Sequence, residues 1–244
     1  MAILVTRPLP DGATTATALR AKGFEVLLAP MLRFEPVAFQ EDSDTSYGAV
    51  IVTSANALRA IEPRLSGSPL LKLPLFAVGE QTADAARAAG FAKVVSADSD
   101  AAGLRERIVT SVKAKALKKT SPLLYLAGAD LARDLPGELG ERGFTVVTQT
   151  TYRMVAMASL PEETRKAFAD EEVEAVLHYS RRSARAFIEA VRAAGVEISA
   201  LSLPQCCLSA GIATVVRDAG AARVVVASSP DEGALFVALE SATC

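Results

Sequence analysis

Hydroxyl side chains recur at the ends of short apolar runs in this 244-residue chain. One such stretch is Ala49-Val50-Ile51-Val52-Thr53-Ser54-Ala55-Asn56. A second is Ala175-Val176-Leu177-His178-Tyr179-Ser180-Arg181-Arg182-Ser183, about half the chain away. A short apolar run bounded by polar residues reads as a buried parallel strand. Ser54 and Ser180 fall where the strand ends, and serine is a good N-cap for the helix that follows. In open α/β sheets the ligand lies beyond the carboxyl ends of the strands. That rule selects Arg7, Thr53, Ser54, Asn56, Gly79, Thr82, Ser180, Ser183 and Ser209, with Gly128 and Ser228-Ser229 nearby in kind. Helix N-termini carry free N–H groups and partial positive charge. The chemistry implied is the holding of an anionic ligand, largely by backbone amides. The plainer reading of each serine or threonine is a cap alone; their appearance at matching corners of two repeats weighs against it.

Other chemistries lack their residues. His178 is the only histidine and lies inside an apolar strand, so it is expected to be structural, and no Ser–His pair can be built twice. No spacing suits a metal, and no metal is expected. The phosphate loop needs Gly-Lys-Ser/Thr, which is absent, and the residues after the first strand, Arg7-Pro8-Leu9-Pro10, are no dinucleotide fingerprint. Cys206-Cys207 falls in an expected core strand, where thiols are inert. Lys113, Lys115, Lys118 and Lys119 read as a solvated helix end. Tyr152 is different, because it lies in a segment expected to cross between two lobes. A phenol stays protonated at neutral pH and can donate a proton or hydrogen bond; the alternative is a packed aromatic beside the linker.

The elements that must position these residues repeat. Leu73-Pro74 corresponds to Leu203-Pro204. At one common offset Gly79 meets Ser209, Ala83 meets Ala213, Gly90 meets Gly220, Val94-Val95 meets Val224-Val225, and Ser99 meets Ser229. A fainter match sets Gly23-Phe24 against Gly143-Phe144. The chain therefore reads as a, b, a′, b′, with two strands in each a and three in each b. Five parallel strands with helices on both faces make a doubly wound lobe. A helix is expected from about Ala101 to Lys118, a strand over Phe144–Thr148, and extended segments over Met31–Val37 and Thr150–Ala156. Gln40–Ser46 reads as an acidic, polar loop. The repetition leaves two pairings open: sequential lobes, or a lobe built from both chain ends with the extended segments paired as a two-stranded hinge.

Half of the residues are hydrophobic, ample for two cores. The net charge of −2 leaves no nucleic-acid footprint. No apolar run approaches the roughly 20 residues of a membrane helix, and the first residues lack a signal peptide's basic leader. The cysteines form no disulfide framework. A reduced cytoplasm is the expected setting, with neither nucleic acid nor membrane as partner and a monomeric chain.

In order and spacing, these pieces resemble the uroporphyrinogen-III synthase family. The matching residues are Leu4-Val5-Thr6-Arg7-Pro8, Val52-Thr53-Ser54-Ala55-Asn56-Ala57 and Val78-Gly79-Glu80-Gln81-Thr82-Ala83. Further along come Tyr152-Arg153, Tyr179-Ser180 with Ser183, and Ala227-Ser228-Ser229-Pro230-Asp231-Glu232-Gly233. The resemblance implies two similar flavodoxin-like α/β lobes of doubly wound parallel sheet, joined by a two-stranded β linker. Lobe one would comprise residues 1–33 and 157–244, the linker 34–46 and 149–156, and lobe two 47–148. It implies a linear tetrapyrrole substrate, hydroxymethylbilane, closed without cofactor, with loss of water and inversion of ring D. Tyr152 matches the family tyrosine thought to help the hydroxyl depart, as proton donor. Thr82, Ser54 and Ser180 match residues of the family cleft. Where the family often has Ile-Gly-x-Thr-Thr-Ala, this chain has Leu208-Ser209-Ala210-Gly211-Ile212-Ala213, so hydroxyl contacts there fall to Ser209 or the backbone. The competing expectation is a non-catalytic two-lobe hinge protein that binds a small polyanion.

Overall fold

A computed structural model of the chain describes residues 1–39, 45–97, 101–131 and 133–243. Residues 40–44 of the expected acidic loop, and Ser99 of the Ser99–Ser229 correspondence, lie outside the described residues. Strand β1 (Ala2–Val5), helix α1 (Asp11–Ala21), β2 (Glu25–Leu28) and β3 (Leu32–Pro36) open the chain. Then come β4 (Ala49–Val52), α2 (Ala55–Leu65), β5 (Pro74–Ala77), α3 (Glu80–Ala88), β6 (Lys93–Ser96) and α4 (Ala101–Lys113). They are followed by β7 (Leu123–Gly128), α5 (Leu135–Gly140) and the long strand β8 (Val146–Ala156). The last part holds α6 (Glu162–Ala169), β9 (Val173–His178), α7 (Arg181–Ala193), α8 (Glu197–Ser202) and β10 (Pro204–Cys207). It ends with α9 (Ala210–Asp218), β11 (Arg223–Val226) and α10 (Glu232–Thr243).

The chain divides into two compact units: Met1–Phe34 with Val155–Cys244, and Glu35–Met154. The first holds a five-stranded sheet in the order β11-β10-β9-β1-β2, parallel throughout. Strands from both chain ends are neighbours in it. The second holds β7, β4, β5, β6 and most of β8 from a six-stranded sheet, β3-β8-β7-β4-β5-β6, parallel from β8 to β6; the chain passes from one unit to the other within β3 and within β8. The edge pair is antiparallel: Val37 N–H donates to Thr151 O and Met157 N–H to Met31 O, so numbering falls along one strand as it rises along the other. The expected extended segments over Met31–Val37 and Thr150–Ala156 pair with each other here, as β3 and the later part of β8, at the edge of this sheet.

Parallel strands are covered on both faces, and alternate residues serve the two cores. In the second unit Val50, Val52, Leu75, Ala77, Leu124 and Leu126 pack under α2 and α3. Ala49, Ile51, Phe76, Leu123 and Tyr125 pack on the other face, under α4 and α5. All of β4 is buried, and each fully buried Val or Ile contributes about 1.5–3 kcal/mol. In the first unit Ile3, Val5, Ala175, Leu177 and Cys206 meet Leu19 of α1 and Leu235 and Leu239 of α10.

The sequence repeat is a repeat of register. Pro74↔Lys93 through Ala77↔Ser96 pair as Pro204↔Arg223 through Cys207↔Val226 do. Gly90 and Gly220 end their helices at φ +96° and +97°, a conformation that a Cβ would strain. One boundary differs from expectation. Helix α4 stops at Lys113, because Lys115 turns to a left-handed φ of 59° and Ala116 N–H closes onto Ser111 O. The helix after β7 starts at Leu135, where Asp134 accepts from Gly137 N–H at 2.9 Å. The expected strand over Phe144–Thr148 and the extended segment after it form one continuous strand, β8. Helix α8 and a 3-10 turn at Pro69–Lys72 were not foreseen; each sits just ahead of a matching Leu-Pro.

Candidate functional site

The expected site residues lie at the carboxyl ends of the strands of both units. In the second unit, β4 runs into Thr53, whose Oγ1 lies 2.9 Å from the Tyr125 hydroxyl. Ser54 is the N-cap of α2 and accepts from Asn56 N–H at 3.3 Å. The Asn56 side-chain oxygen accepts from Arg59. One strand over, Gly79 caps α3 without a side chain, so its first turn has backbone donors and no side-chain acceptor. Thr82 in that turn is 7% exposed. Glu80 in the same turn pairs with Arg87 at 2.5 Å.

Tyr152 lies beside these corners, half-buried against the core around Val50 and Leu126. Its ring covers Gly128, the last residue of β7. A Cβ at position 128 would stand 2.7 Å from Tyr152 Cζ. Tyr125 lies in the opposite core. Burial raises the Tyr125 phenol above its ordinary range, the Thr53 hydrogen bond opposes the rise, and Tyr152 adds to it.

In the first unit, Ser180 caps α7 and accepts from Ser183 N–H at 3.1 Å, with the two hydroxyl oxygens 2.7 Å apart. Ser183 is fully buried. Ser209 caps α9 but makes no side-chain cap hydrogen bond. Asp231 caps α10, accepting from Ala234 N–H at 2.9 Å; its carboxyl is held below the usual range by the Ser229 hydroxyl first and then by that amide.

Arg7 follows β1 and is a quarter exposed. Its guanidinium lies 4.8 Å over the Tyr179 ring, reaches Glu232 Oε1 at 3.3 Å and Asp11 Oδ2 at 3.5 Å. Burial pushes the Tyr179 phenol well above its ordinary range. Sequence reasoning chose Arg7 but missed Thr15, Tyr179, Glu232 and Asp11, which surround it. Tyr125 and Thr151 were missed as well. The usable signals were positional: Tyr179 directly precedes the cap Ser180, and Glu232 directly follows the cap Asp231.

His178 is fully buried; its Nε2 is 2.8 Å from Gln205 Oε1 and its ring meets Phe187 edge-on. Among the described residues no group of three or more His, Cys, Asp or Glu could hold a metal ion. Among them, too, no helix is long and apolar enough to cross a membrane. A cavity of about 650 Å³ lies at the amino ends of β1 and β2, lined by Met1, Glu25, Glu163, Lys166 and Glu172. None of the expected site residues lines it, and its carboxylates would repel the anion that the opposite strand ends suit.

The corners therefore offer hydroxyls, small residues and amide donors, with the Tyr152 and Tyr125 phenols beside them in the second unit and the Arg7 guanidinium in the first. Hydroxyls, helix N-terminal amides and a guanidinium are hydrogen-bond donors of the kind that suit carboxylates. The family model described as uroporphyrinogen-III synthase HemD matches residues 13–237 of the chain. Among solved structures, the uroporphyrinogen-III synthetase of Helicobacter pylori shares the fold at TM-score 0.66 and 18% identity, over 98% of both chains. A mutant uroporphyrinogen III synthase of Thermus thermophilus matches at TM-score 0.58 and 16% identity, over 99% of this chain and 98% of its own. No curated protein sequence matches.

Proposed function

The chain belongs to the uroporphyrinogen-III synthase family, and we propose that it closes hydroxymethylbilane to uroporphyrinogen III with Tyr152 as the proton donor. Members of this family are cyclising lyases of haem biosynthesis. The observation that carries the residue assignment is the seat of Tyr152 over Gly128, at the strand ends where Gly79 and Ser54 begin their helices.

In this reading the phenol gives its proton to the hydroxyl of ring A as the C–O bond breaks and water leaves. Ring D attacks through its substituted carbon, giving the spiro intermediate, and reforms inverted. The proton released when the new pyrrole regains aromaticity balances the one donated. The reactivity belongs to the substrate, so the protein's larger task is to hold a flexible polyanion in one conformation. Each unit offers carboxylate-binding groups at its own strand ends: Thr53, Ser54, Asn56, Gly79 and Thr82 in one, and Arg7, Ser180 and Ser209 in the other, where the buried Ser183 holds the Ser180 hydroxyl. Residues 34–46 and 149–156 serve as the linker in this account. Backbone amides and a guanidinium suit a substrate with eight carboxylates better than a single cation would, because each contact is separately placed.

The test is the isomer produced. With freshly made hydroxymethylbilane the protein should shift product from the type I to the type III isomer. A mixture identical to the enzyme-free control rejects the assignment and leaves the non-catalytic polyanion binder. Tyr152→Phe should lower kcat by about 10²-fold or more with little change in KM, the usual scale of general acid catalysis.

A further inference from the structure

Strand β8 changes face partway along, one residue before Tyr152. Side chains of a regular strand alternate between faces. Val146 packs in the core around Ile51 and Tyr125, and Val147 in the opposite core around Val50 and Leu126. Tyr152 follows Val147 by an odd number of positions, so strict alternation would put it with Val146. It packs with Val147 instead.

The pairing with β7 explains the inversion. Partners run from Leu123↔Val146 to Ala127↔Thr150 and then jump to Gly128↔Tyr152. Thr151 is the extra residue of a β-bulge, and a one-residue slip moves every later side chain to the other face. The bulge is clamped. Thr151 is fully buried; its Oγ1 donates to Ala127 O at 3.2 Å, and its carbonyl accepts from Val37 N–H at 2.7 Å. Ala129 N–H donates to Tyr152 O at 2.8 Å, fixing the backbone on the far side.

The seat for the ring is a missing side chain. A Cβ at position 128 would lie 2.7 Å from Cζ, 2.9 Å from Oη and 3.1 Å from Cε1 of Tyr152. The first two are closer than a Cβ ever comes to a neighbour and the third is tight, so any residue but glycine displaces the phenol. We propose that Thr151 and Gly128 are positioning residues for Tyr152: the bulge turns the ring to this face, and the absent Cβ receives it at the sheet's carboxyl edge. The functional half of this inference rests on Tyr152 being the proton donor. A displacement of about 1 Å at a reacting group is enough to cost on the order of 10²-fold in rate.

The experiment combines kinetics on hydroxymethylbilane with fluorine NMR of protein labelled with 3-fluorotyrosine. The chain has four tyrosines, so each resonance can be assigned by its Tyr→Phe variant. Gly128→Ala should move the Tyr152 resonance and lower kcat at least about tenfold while KM stays within about twofold. In a Tyr152→Phe background Gly128→Ala should lower kcat no further. Thr151→Val keeps the branched shape and loses the Oγ1 hydrogen bond to Ala127 O; it should move the same resonance, and it carries the test if Gly128→Ala does not fold. An unmoved Tyr152 resonance in both variants overturns the proposal. So does an equal loss of kcat from Gly128→Ala with and without the Tyr152 hydroxyl. Full turnover by Tyr152→Phe overturns the proton-donor reading alone, and the resonance shift then decides the seating by itself.

Discussion

The Tyr179 hydroxyl donates to Glu232 Oε1 at 2.9 Å, tying the carboxyl end of β9 to the first turn of α10. The same oxygen accepts from Thr15 Oγ1 at 2.5 Å and from Arg7 Nη1 at 3.3 Å. One carboxylate thus closes the loop after β1, helix α1, the end of β9 and α10 into one polar cluster. Arg7, stacked on the Tyr179 ring, is held in a fixed orientation at the end of β1.

Removing the acceptor should therefore cost more than removing one donor. Tyr179→Phe deletes one hydrogen bond and should destabilise by about 1 kcal/mol. Glu232→Ala leaves Tyr179, Thr15 and Arg7 without their shared acceptor and should cost about 2–3 kcal/mol. The ion pair itself adds little, because Arg7 and Glu232 remain partly exposed. Urea unfolding of both variants checks the order; Tyr179→Phe costing as much as Glu232→Ala would show that the cluster does not act through this oxygen.

His178 makes the fold sensitive to acid. Burial lowers its pKa from an ordinary 6.5 to about 4, against a smaller opposing effect of the Gln205 hydrogen bond. Its Nδ1 is buried with no hydrogen-bond partner. The folded protein keeps the ring neutral, whereas the unfolded chain takes up a proton as pH falls below 6.5. The stability from this group is therefore full above about pH 6.5 and is lost as pH falls toward 4. By pH 5 the loss is about 2 kcal/mol. Unfolding free energies of the parent and of His178→Gln at pH 7.5 and pH 5 isolate it from the carboxylates. The parent should lose about 2 kcal/mol more than the variant over that interval, and parallel losses would refute the assignment.

Cys206 and Cys207 should be chemically silent in the folded protein. Both are fully buried, and burial pushes their thiols up to about 12. Only the thiolate attacks. Neither should react with a disulfide reagent at pH 7.5 until the protein unfolds, so their labelling rate should follow the unfolding rate as urea rises. Rapid labelling of Cys206 or Cys207 in native buffer, read in a Cys244→Ala background, would contradict the placement of β10 in the core.

Much of this fold is legible in the residues because its two halves repeat with the same register. Leu73-Pro74 and Leu203-Pro204 open equivalent strands, and Gly90 and Gly220 close equivalent helices at the same positive φ. The capping serines were legible for the same reason, since a cap is a local choice of residue. The bulge at Thr151 was not. One extra residue changes no composition and no turn signal, yet it reverses the face that Tyr152 takes. The Arg7–Glu232 pair joins residues 225 positions apart, and no local pattern records such a contact. Helix α8 and the 3-10 turn at Pro69–Lys72 are too short for hydrophobic periodicity to register.

Ser180 and Ser209 start the helices that follow the neighbouring strands β9 and β10, and their hydrogen bonds assign them different work. Ser180 Oγ accepts from Ser183 N–H at 3.1 Å, so Ser180→Ala should lose a cap and about 1 kcal/mol of stability. Ser209 makes no side-chain cap hydrogen bond to α9, so Ser209→Ala should change stability by no more than about 0.5 kcal/mol. If the Ser209 hydroxyl instead serves the substrate, its removal should raise KM about fivefold, the equivalent of one lost hydrogen bond. Thermal melts of the two variants, paired with KM for hydroxymethylbilane, separate the roles. A Ser209→Ala protein that melts as early as Ser180→Ala with KM unchanged would make Ser209 a cap and remove it from the binding set.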